Sequence, residues 1–262
     1  MPALLADTHA HLADPALLSQ VSEVVVSAVD VGVDHILAVA VDLVSSGESI
    51  RLAERFSTVW ASVGIHPHEA ASYDPEALDE LRALAIHPKV VAIGEIGLDY
   101  YRNLAPPAVQ QAAFADQLAL AASLGKPVVV HNREATADVL RFIGRVDRPS
   151  DLASRAGVLH CFSQGYKTAE EAIRLGFYIS FAGNLTYRRA DALRSVAASL
   201  PGDRLLVETD SPYLAPMPRR GQVNHPSNVW LVARQLADAR GISFEIAADE
   251  TSTNARRLFR WT

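Results

Sequence analysis

Gly125-Lys126-Pro127-Val128-Val129-Val130-His131 joins a helix-ending glycine, a fully apolar β-branched run and a histidine at the end of that run. Consecutive valines of this kind suit a strand of a parallel sheet, which is buried on both faces. The next residue would ordinarily be another core residue or a solvated turn residue, so His131 is unexpected where it stands. Read outward in both directions, the chain holds eight short runs: Leu4–Thr8, His35–Val41, Val59–Ile65, Val90–Ile96, Pro127–Val130, Gly157–His160, Phe177–Phe181 and Leu205–Thr209. A longer stretch of helical periodicity follows each. Repeated βα units build a parallel sheet, and eight of them predict an α/β fold closed into a TIM-type (β/α)8 barrel.

Punctuation supports the alternation. Asp14-Pro15 and Asp74-Pro75 each place a capping acid before a proline at the first helical position. Thr168 and Glu171 have capping-box spacing, and Gly125 and Gly176 stand where a helix gives way to a strand. The segment Asp238–Thr262 is expected to add one or two closing helices. With no linker, charge block or fixed-period repeat, residues 1–262 read as a single domain. A chain of 262 residues, 49% apolar, fits one barrel of about 250 residues.

A formal charge of −6 argues against a generally basic surface that would coat nucleic acid, so any bound phosphate must be held by local cations. The lone cysteine, Cys161, excludes an internal disulfide framework, and residues 1–20 lack the basic start and apolar run of a secretory signal. A cytoplasmic setting is expected. No apolar stretch approaches the ~18–20 residues of a membrane span, and no tail or zipper-like stripe points to an obligate protein partner.

In a parallel barrel the strand C-termini form the face where functional groups converge. His9 and His11 stand two apart at the end of the first run, so both side chains point one way and can reach one ion. Glu95 lies within Ile93-Gly94-Glu95-Ile96-Gly97, an apolar setting where a carboxylate needs a cation. His131 closes Val128–Val130, His160 closes Val158-Leu159, and Asp210 follows Leu205–Thr209. Each has a plain alternative: a polar strand end, a satisfied buried group or, for Asp210 before Ser211-Pro212, a helix cap. Four histidines and two acids all at strand ends are explained together by a metal site. Six imidazole and carboxylate ligands exceed the needs of one tetrahedral ion and suit Zn, Mn, Fe or Mg to different degrees, so two divalent cations are expected, with Glu95 able to bridge them. Lys126 precedes its strand and faces the opposite rim.

Arg133, two residues beyond His131, is placed to hold a phosphate oxygen, its alternative being a surface pair with Glu134. His66 could also bind phosphate. His35, His68 and His87 read as structural or surface residues, and Cys161 as core packing in the barrel–helix layer.

The whole pattern resembles the TatD family of metal-dependent deoxyribonucleases. The motifs are Asp7-Thr8-His9-Ala10-His11, Gly64-Ile65-His66-Pro67-His68, Gly94-Glu95-Ile96-Gly97-Leu98-Asp99-Tyr100, His131-Asn132-Arg133-Glu134-Ala135, His160-Cys161-Phe162-Ser163, Glu208-Thr209-Asp210-Ser211-Pro212-Tyr213 and Asn254-Ala255. They follow one another in order across nearly the entire chain. The resemblance implies a barrel of the amidohydrolase-like superfamily, with His9, His11, Glu95 and Asp210 around one ion and Glu95, His131 and His160 around the other. It also implies Mg2+- or Mn2+-dependent hydrolysis of DNA phosphodiesters, often as a 3′-to-5′ exonuclease on single strands, in DNA repair or degradation. Gln164, where glycine is usual, and His225, where an acid is common, depart from the family pattern and bear on the substrate rim.

On this reading an activated water attacks phosphorus, Asp210 shuttles the proton, and Arg133 and His66 hold the non-bridging oxygens. A short footprint at a strand end and a shallow salt dependence follow. The same ligands could serve an ester or amide hydrolase such as a D-aminoacyl-tRNA deacylase, or a metal-binding protein without catalysis.

Overall fold

A computed structural model describes residues 4–261. Its strands are β1 (Leu5–Ala10), β2 (Val33–Val39), β3 (Val59–Val63), β4 (Val90–Asp99), β5 (Val128–Arg133), β6 (Gly157–Leu159), β7 (Phe177–Phe181) and β8 (Leu205–Val207). The helices are α1 (Pro15–Leu18), α2 (Val21–Asp30), α3 (Leu43–Arg55), α4 (Pro75–Ala85), α5 (Pro107–Ser123), α6 (Thr136–Arg145), α7 (Ser150–Ala153), α8 (Tyr166–Arg174), α9 (Asp191–Ser199), α10 (Val229–Arg240) and α11 (Phe244–Phe259). Each strand pairs in parallel with the next, in the order β1 to β8. The expected TIM-type barrel is the fold.

The seam between β8 and β1 has no continuous ladder and is closed by other means. Above the strands, Asp210 N–H donates to His9 O at 2.9 Å and His11 N–H to Ser211 O at 2.8 Å. Below, Thr8 Oγ1 donates to Val207 O at 3.0 Å, and the buried Asp7 carboxylate accepts from Thr209 N at 2.8 Å and Thr209 Oγ1 at 2.6 Å. Burial pushes the Asp7 carboxyl up to about 8, against the lowering effect of those bonds.

Alternation along the strands divides the core. Leu37, Val39, Val91, Val129, Val158 and Leu206 meet inside the barrel, whereas Ile36, Ile93, Val128, Val130, Phe177 and Ile179 pack outward on the helices. Helix α11 closes the N-terminal end: Leu258, Phe259 and Trp261 join the inner cluster, and Asn254 Nδ2 donates to Gly202 O at 2.8 Å and Leu205 O at 2.9 Å.

Two strands are irregular where the chemistry lies. Between Asp7 and Ala10 of β1, three residue steps match two on β2, and between Ile93 and Ile96 of β4 three steps match two on β5. The extra residue in each bulge kinks the strand and re-aims its side chains. Glycine makes the β4 bulge possible: a Cβ on Gly94 would lie 2.5 Å from Val129 Cβ, and Gly97, at φ +143°, has His131 O 2.1 Å from where a Cβ would be.

Asp14 and Asp74 cap α1 and α4 as expected, their carboxylates accepting from Ala16 N and Ala77 N, each at 2.8 Å. Gly125 and Gly176 take left-handed φ values of +63° and +85°. The Thr168–Glu171 box does not form. Gly165 is the N-cap of α8 without a side-chain bond, and Thr168 lies inside the helix, its N–H bonded to Gly165 O. Strand ends also shift: β1 runs on to Ala10, β4 to Asp99 and β5 to Arg133, and β8 stops at Val207. The two closing helices are α10, which begins earlier than expected, and α11; Thr262 is outside the described residues.

Candidate metal centre

Glu95 is the hub of the barrel's C-terminal face. The β4 bulge carries its backbone inward, so that Glu95 N–H donates to Ala40 O at 2.8 Å, beyond the end of β2. Its two oxygens face different groups. Oε2 is 3.4 Å from His9 Nε2 and 3.6 Å from His11 Nε2. Oε1 is 2.8 Å from both His131 Nδ1 and His160 Nε2, and 3.3 Å from His66 Nε2. Asp210 completes the first group, its Oδ1 3.5 Å from His11 Nε2 and 3.7 Å from His9 Nε2. A left-handed backbone at Asp210, φ +57°, turns the carboxylate into the site, and no helix starts there to be capped.

The six expected ligands therefore meet. The donor atoms of His9, His11 and Glu95 lie within 4.8 Å of one another, and two further groups, His66 with Glu95 and His131 and His9 with His160 and Glu208, bring in residues outside the six. Outer nitrogens show how the imidazoles are set. His11 Nδ1–H donates to Val39 O at 3.1 Å, which leaves the Nε2 lone pair directed at Glu95 and Asp210. His131 Nε2 faces Asp99 Oδ2 at 3.2 Å. His160 Nδ1 is 3.4 Å from Glu208 Oε1, within ion-pair range but outside hydrogen-bond geometry. Backing an imidazole with a carboxylate or carbonyl fixes its tautomer and raises its basicity, as metal-binding histidines require. Convergent lone pairs and the unpartnered, buried His9 Nδ1 and Glu208 Oε2 suit divalent cations.

Electrostatics follow from crowding. Burial would raise the Glu95 carboxyl, but His160, His66 and His131 outweigh it and hold it well below the usual range. Burial would lower His160, yet Glu95 and Glu208 lift it well above the ordinary imidazole value. His66 goes the other way: burial takes it down to about 4. Its Nδ1 accepts from His68 N at 3.1 Å, so Nε2–H is the atom presented to Glu95.

Arg133 ends β5 and is exposed, its guanidinium 4.1 Å above the Tyr101 ring. That stack replaces the surface pair with Glu134 that was its alternative. Lys126 bonds Val90 O at the opposite end, as expected. His35 stacks on Trp261 with centroids 5.0 Å apart, and His87 is 3.2 Å from Glu54, both remote from the site.

Two expectations are corrected. His68 lines the site cavity, because the chain after β3 turns inward with His66 N–H on Val41 O, and His68 Nε2 lies 2.8 Å from Asp99 Oδ2. Cys161 does not join the barrel–helix layer. Its left-handed φ of +45° breaks the alternation, Glu208 Oε1 accepts its N–H at 2.6 Å, and Phe162 takes the core position. Burial, with Asp210 and Glu208 nearby, holds the thiol well above its usual value, which disfavours the thiolate.

Asp99 and Glu208 were missed. Asp99 fell beyond the expected end of its strand at Ile96, hidden by the bulge. Glu208 had a signal: an acid directly after Leu205-Leu206-Val207, comparable to His131 after three valines.

A cavity of about 720 Å³ opens above the centre, lined by His11, His66, Glu95, His131, His160, Asp210 and the loops after β1, β2 and β3. The family model described as TatD related DNase matches residues 6–260. The chain is a TatD-family enzyme. Its relatives agree with that membership. It is 37% identical over 257 residues to the metal-dependent hydrolase YabD of Bacillus subtilis, covering 98% of this chain and 99% of that one. It is 39% identical over 242 residues to the 3′-5′ ssDNA/RNA exonuclease TatD of Cronobacter turicensis, covering 90% of each. Among solved structures, the TatD homologue YJJV of Escherichia coli superimposes with a TM-score of 0.92 at 31% identity, over 99% of both chains. TatD members are hydrolases that depend on metal and act on phosphodiester bonds, and no helix among the described residues is long and apolar enough to cross a membrane.

Proposed function

We propose that this TatD enzyme trims single-stranded nucleic acid from its 3′ end with two divalent cations, Mg2+ or Mn2+ before Zn2+. The observation that carries the reading is the division of Glu95: one oxygen toward His9 and His11, the other toward His131 and His160. His9, His11, Glu95 and Asp210 would hold one cation, and Glu95, His131 and His160 the other. Bound there, such cations lower the pKa of a water and offset charge on the attacked and leaving oxygens.

The chain's own groups supply the rest. Asp210 is held ionised by His11 and His9 against burial, and it borders the cavity, so it can accept a proton from the attacking water and return it to the leaving oxygen. His66 is buried and neutral, with Nε2–H free to donate to a non-bridging oxygen once Glu95 is engaged elsewhere. Arg133, held flat on Tyr101, supplies a fixed guanidinium for the scissile or an adjacent phosphate. Asp99 and Glu208 position His131 and His160.

The test is a time course on end-labelled single- and double-stranded DNA with Mg2+, Mn2+ or EDTA, with a D-aminoacyl-tRNA as a parallel substrate. Stepwise loss of 3′ nucleotides from the single strand, abolished by EDTA, is expected. Turnover of the aminoacyl ester with none of DNA would overturn the reading. Asp210→Asn is expected to bind DNA normally and to hydrolyse it about 10²–10⁴-fold more slowly; hydrolysis at the wild-type rate would remove the shuttle role.

A further inference from the structure

The loops on the barrel's C-terminal face differ in charge. After β1, β2 and β3, Asp14, Asp42, Glu48 and Glu69 line the cavity together with Arg51, which is bound to Glu48 at 2.9 Å, and Arg102 follows β4. On the loops after β7 and β8 the sequence carries Tyr187-Arg188-Arg189 and Arg219-Arg220, all four arginines exposed. These loops are locked together. Gly183 packs so closely that a Cβ would sit 1.8 Å from Leu214 O, Met217 N–H donates to Thr186 Oγ1 at 2.8 Å, and Tyr187 Oη donates to Ala215 O at 3.3 Å. Arg194 fixes the first loop from beneath, donating to Leu185 O and Tyr187 O, each at 2.9 Å. Arg220 lies over the Tyr187 ring at 4.6 Å. Among the described residues, none of the four is paired with a carboxylate, unlike Arg51, Arg141, Arg155, Arg194 and Arg256.

We propose that Arg188, Arg189, Arg219 and Arg220 form a track for the phosphodiester backbone of the retained strand, entering over the β7 and β8 loops toward Asp210. The proposal rests on the nuclease reading. A polyanion is repelled by the four carboxylates that line the cavity and by the chain's overall charge of −6, which favours the arginine-bearing loops after β7 and β8 as its approach. A guanidinium stacked on tyrosine keeps its N–H edges free and loses little freedom when it meets phosphate. Contacts to phosphate carry no base identity, so the track serves any sequence and serves RNA as well as DNA.

The experiment compares wild type with R188A/R189A/R219A/R220A. Binding of 12-nucleotide DNA and RNA strands and of a dinucleotide is measured by anisotropy in EDTA, and turnover of the same DNA ligands with Mn2+. The quadruple variant is expected to weaken both 12-mers about 30-fold or more at low salt. It should also flatten the salt dependence by about 0.7 in slope per lost contact, and leave dinucleotide binding and turnover within about twofold. Each double variant, R188A/R189A or R219A/R220A, should lose about half of that effect on a logarithmic scale. An unchanged melting temperature shows that these exposed substitutions leave the fold intact; if the quadruple variant melts early, the double variants decide. Equal losses for dinucleotide and 12-mer, no loss at all, or a loss confined to DNA or to RNA would overturn the track. Failure of the nuclease reading is separate: it shows as arginine-dependent binding of the 12-mers with no strand cleaved by wild type.

Discussion

Glu95 holds five imidazoles within 3.6 Å on two oxygens, and its amide could not serve both sides with negative charge. Glu95→Gln is expected to lower the bound cation per chain, read by elemental analysis, and to slow DNA hydrolysis by about 10³-fold. Asp99→Asn tests the support of His131. Cation affinity should fall about 10- to 100-fold, because the amide can no longer accept both from Arg102 N–H and from the imidazoles of His68 and His131. That the six expected residues meet around Glu95 was legible because each is a polar residue within or at the end of an apolar run. His68 and Asp99 were not, since their part comes from a turn after β3 and a bulge in β4 that bring distant residues to 2.8 Å. Nothing in one-dimensional spacing reports such a contact.

The strands were legible as β-branched runs, eight of them in order, because a parallel strand buried on both faces has little freedom of composition. Their ends were less so. Bulges add a residue without changing composition, and the capping box read at Thr168 lost to a glycine three residues earlier that could take the extended N-cap backbone. Gly97 is the element's fixed point. Gly97→Ala would put a methyl group 2.1 Å from His131 O at a φ of +143°, and is expected to destabilise the protein by about 3 kcal/mol or more in urea unfolding. At the other end of the barrel, Arg256 of α11 donates to Asp34 Oδ2 in β2 at 2.6 Å. Burial would raise Asp34, but His35 and Arg256 hold it below the usual carboxylate range. Its contribution is therefore present above the unfolded carboxyl pKa of about 3.9 and is lost as pH falls through the lower folded value. Asp34→Asn should cost about 1 kcal/mol at pH 7, and the difference from wild type should shrink as pH falls below the unfolded carboxyl value of about 3.9.

At the scale of the whole molecule, cations that bind the folded chain and not the unfolded one stabilise it by mass action, about 2.7 kcal/mol per site at a hundred times the dissociation constant. Removal of both with chelator is expected to lower the melting temperature by about 5 °C or more, and Mn2+ should restore it. A melting temperature indifferent to both would count against a built metal centre. The negative net charge, read first as a bar to coating nucleic acid, also sets off the four exposed arginines of the loops after β7 and β8.

The seam between β8 and β1 has a consequence in time. His9 lies in β1 and His11 directly after it, Asp210 lies in the loop after β8, and they meet across the bonds that join Asp210 to His9 and Ser211 to His11. During synthesis the first two ligands wait, without their carboxylate partner, for some two hundred residues to emerge. A nascent chain stalled before β8 would hold neither a closed barrel nor the first cation's full set of donors. The site is therefore complete only when the fold is finished.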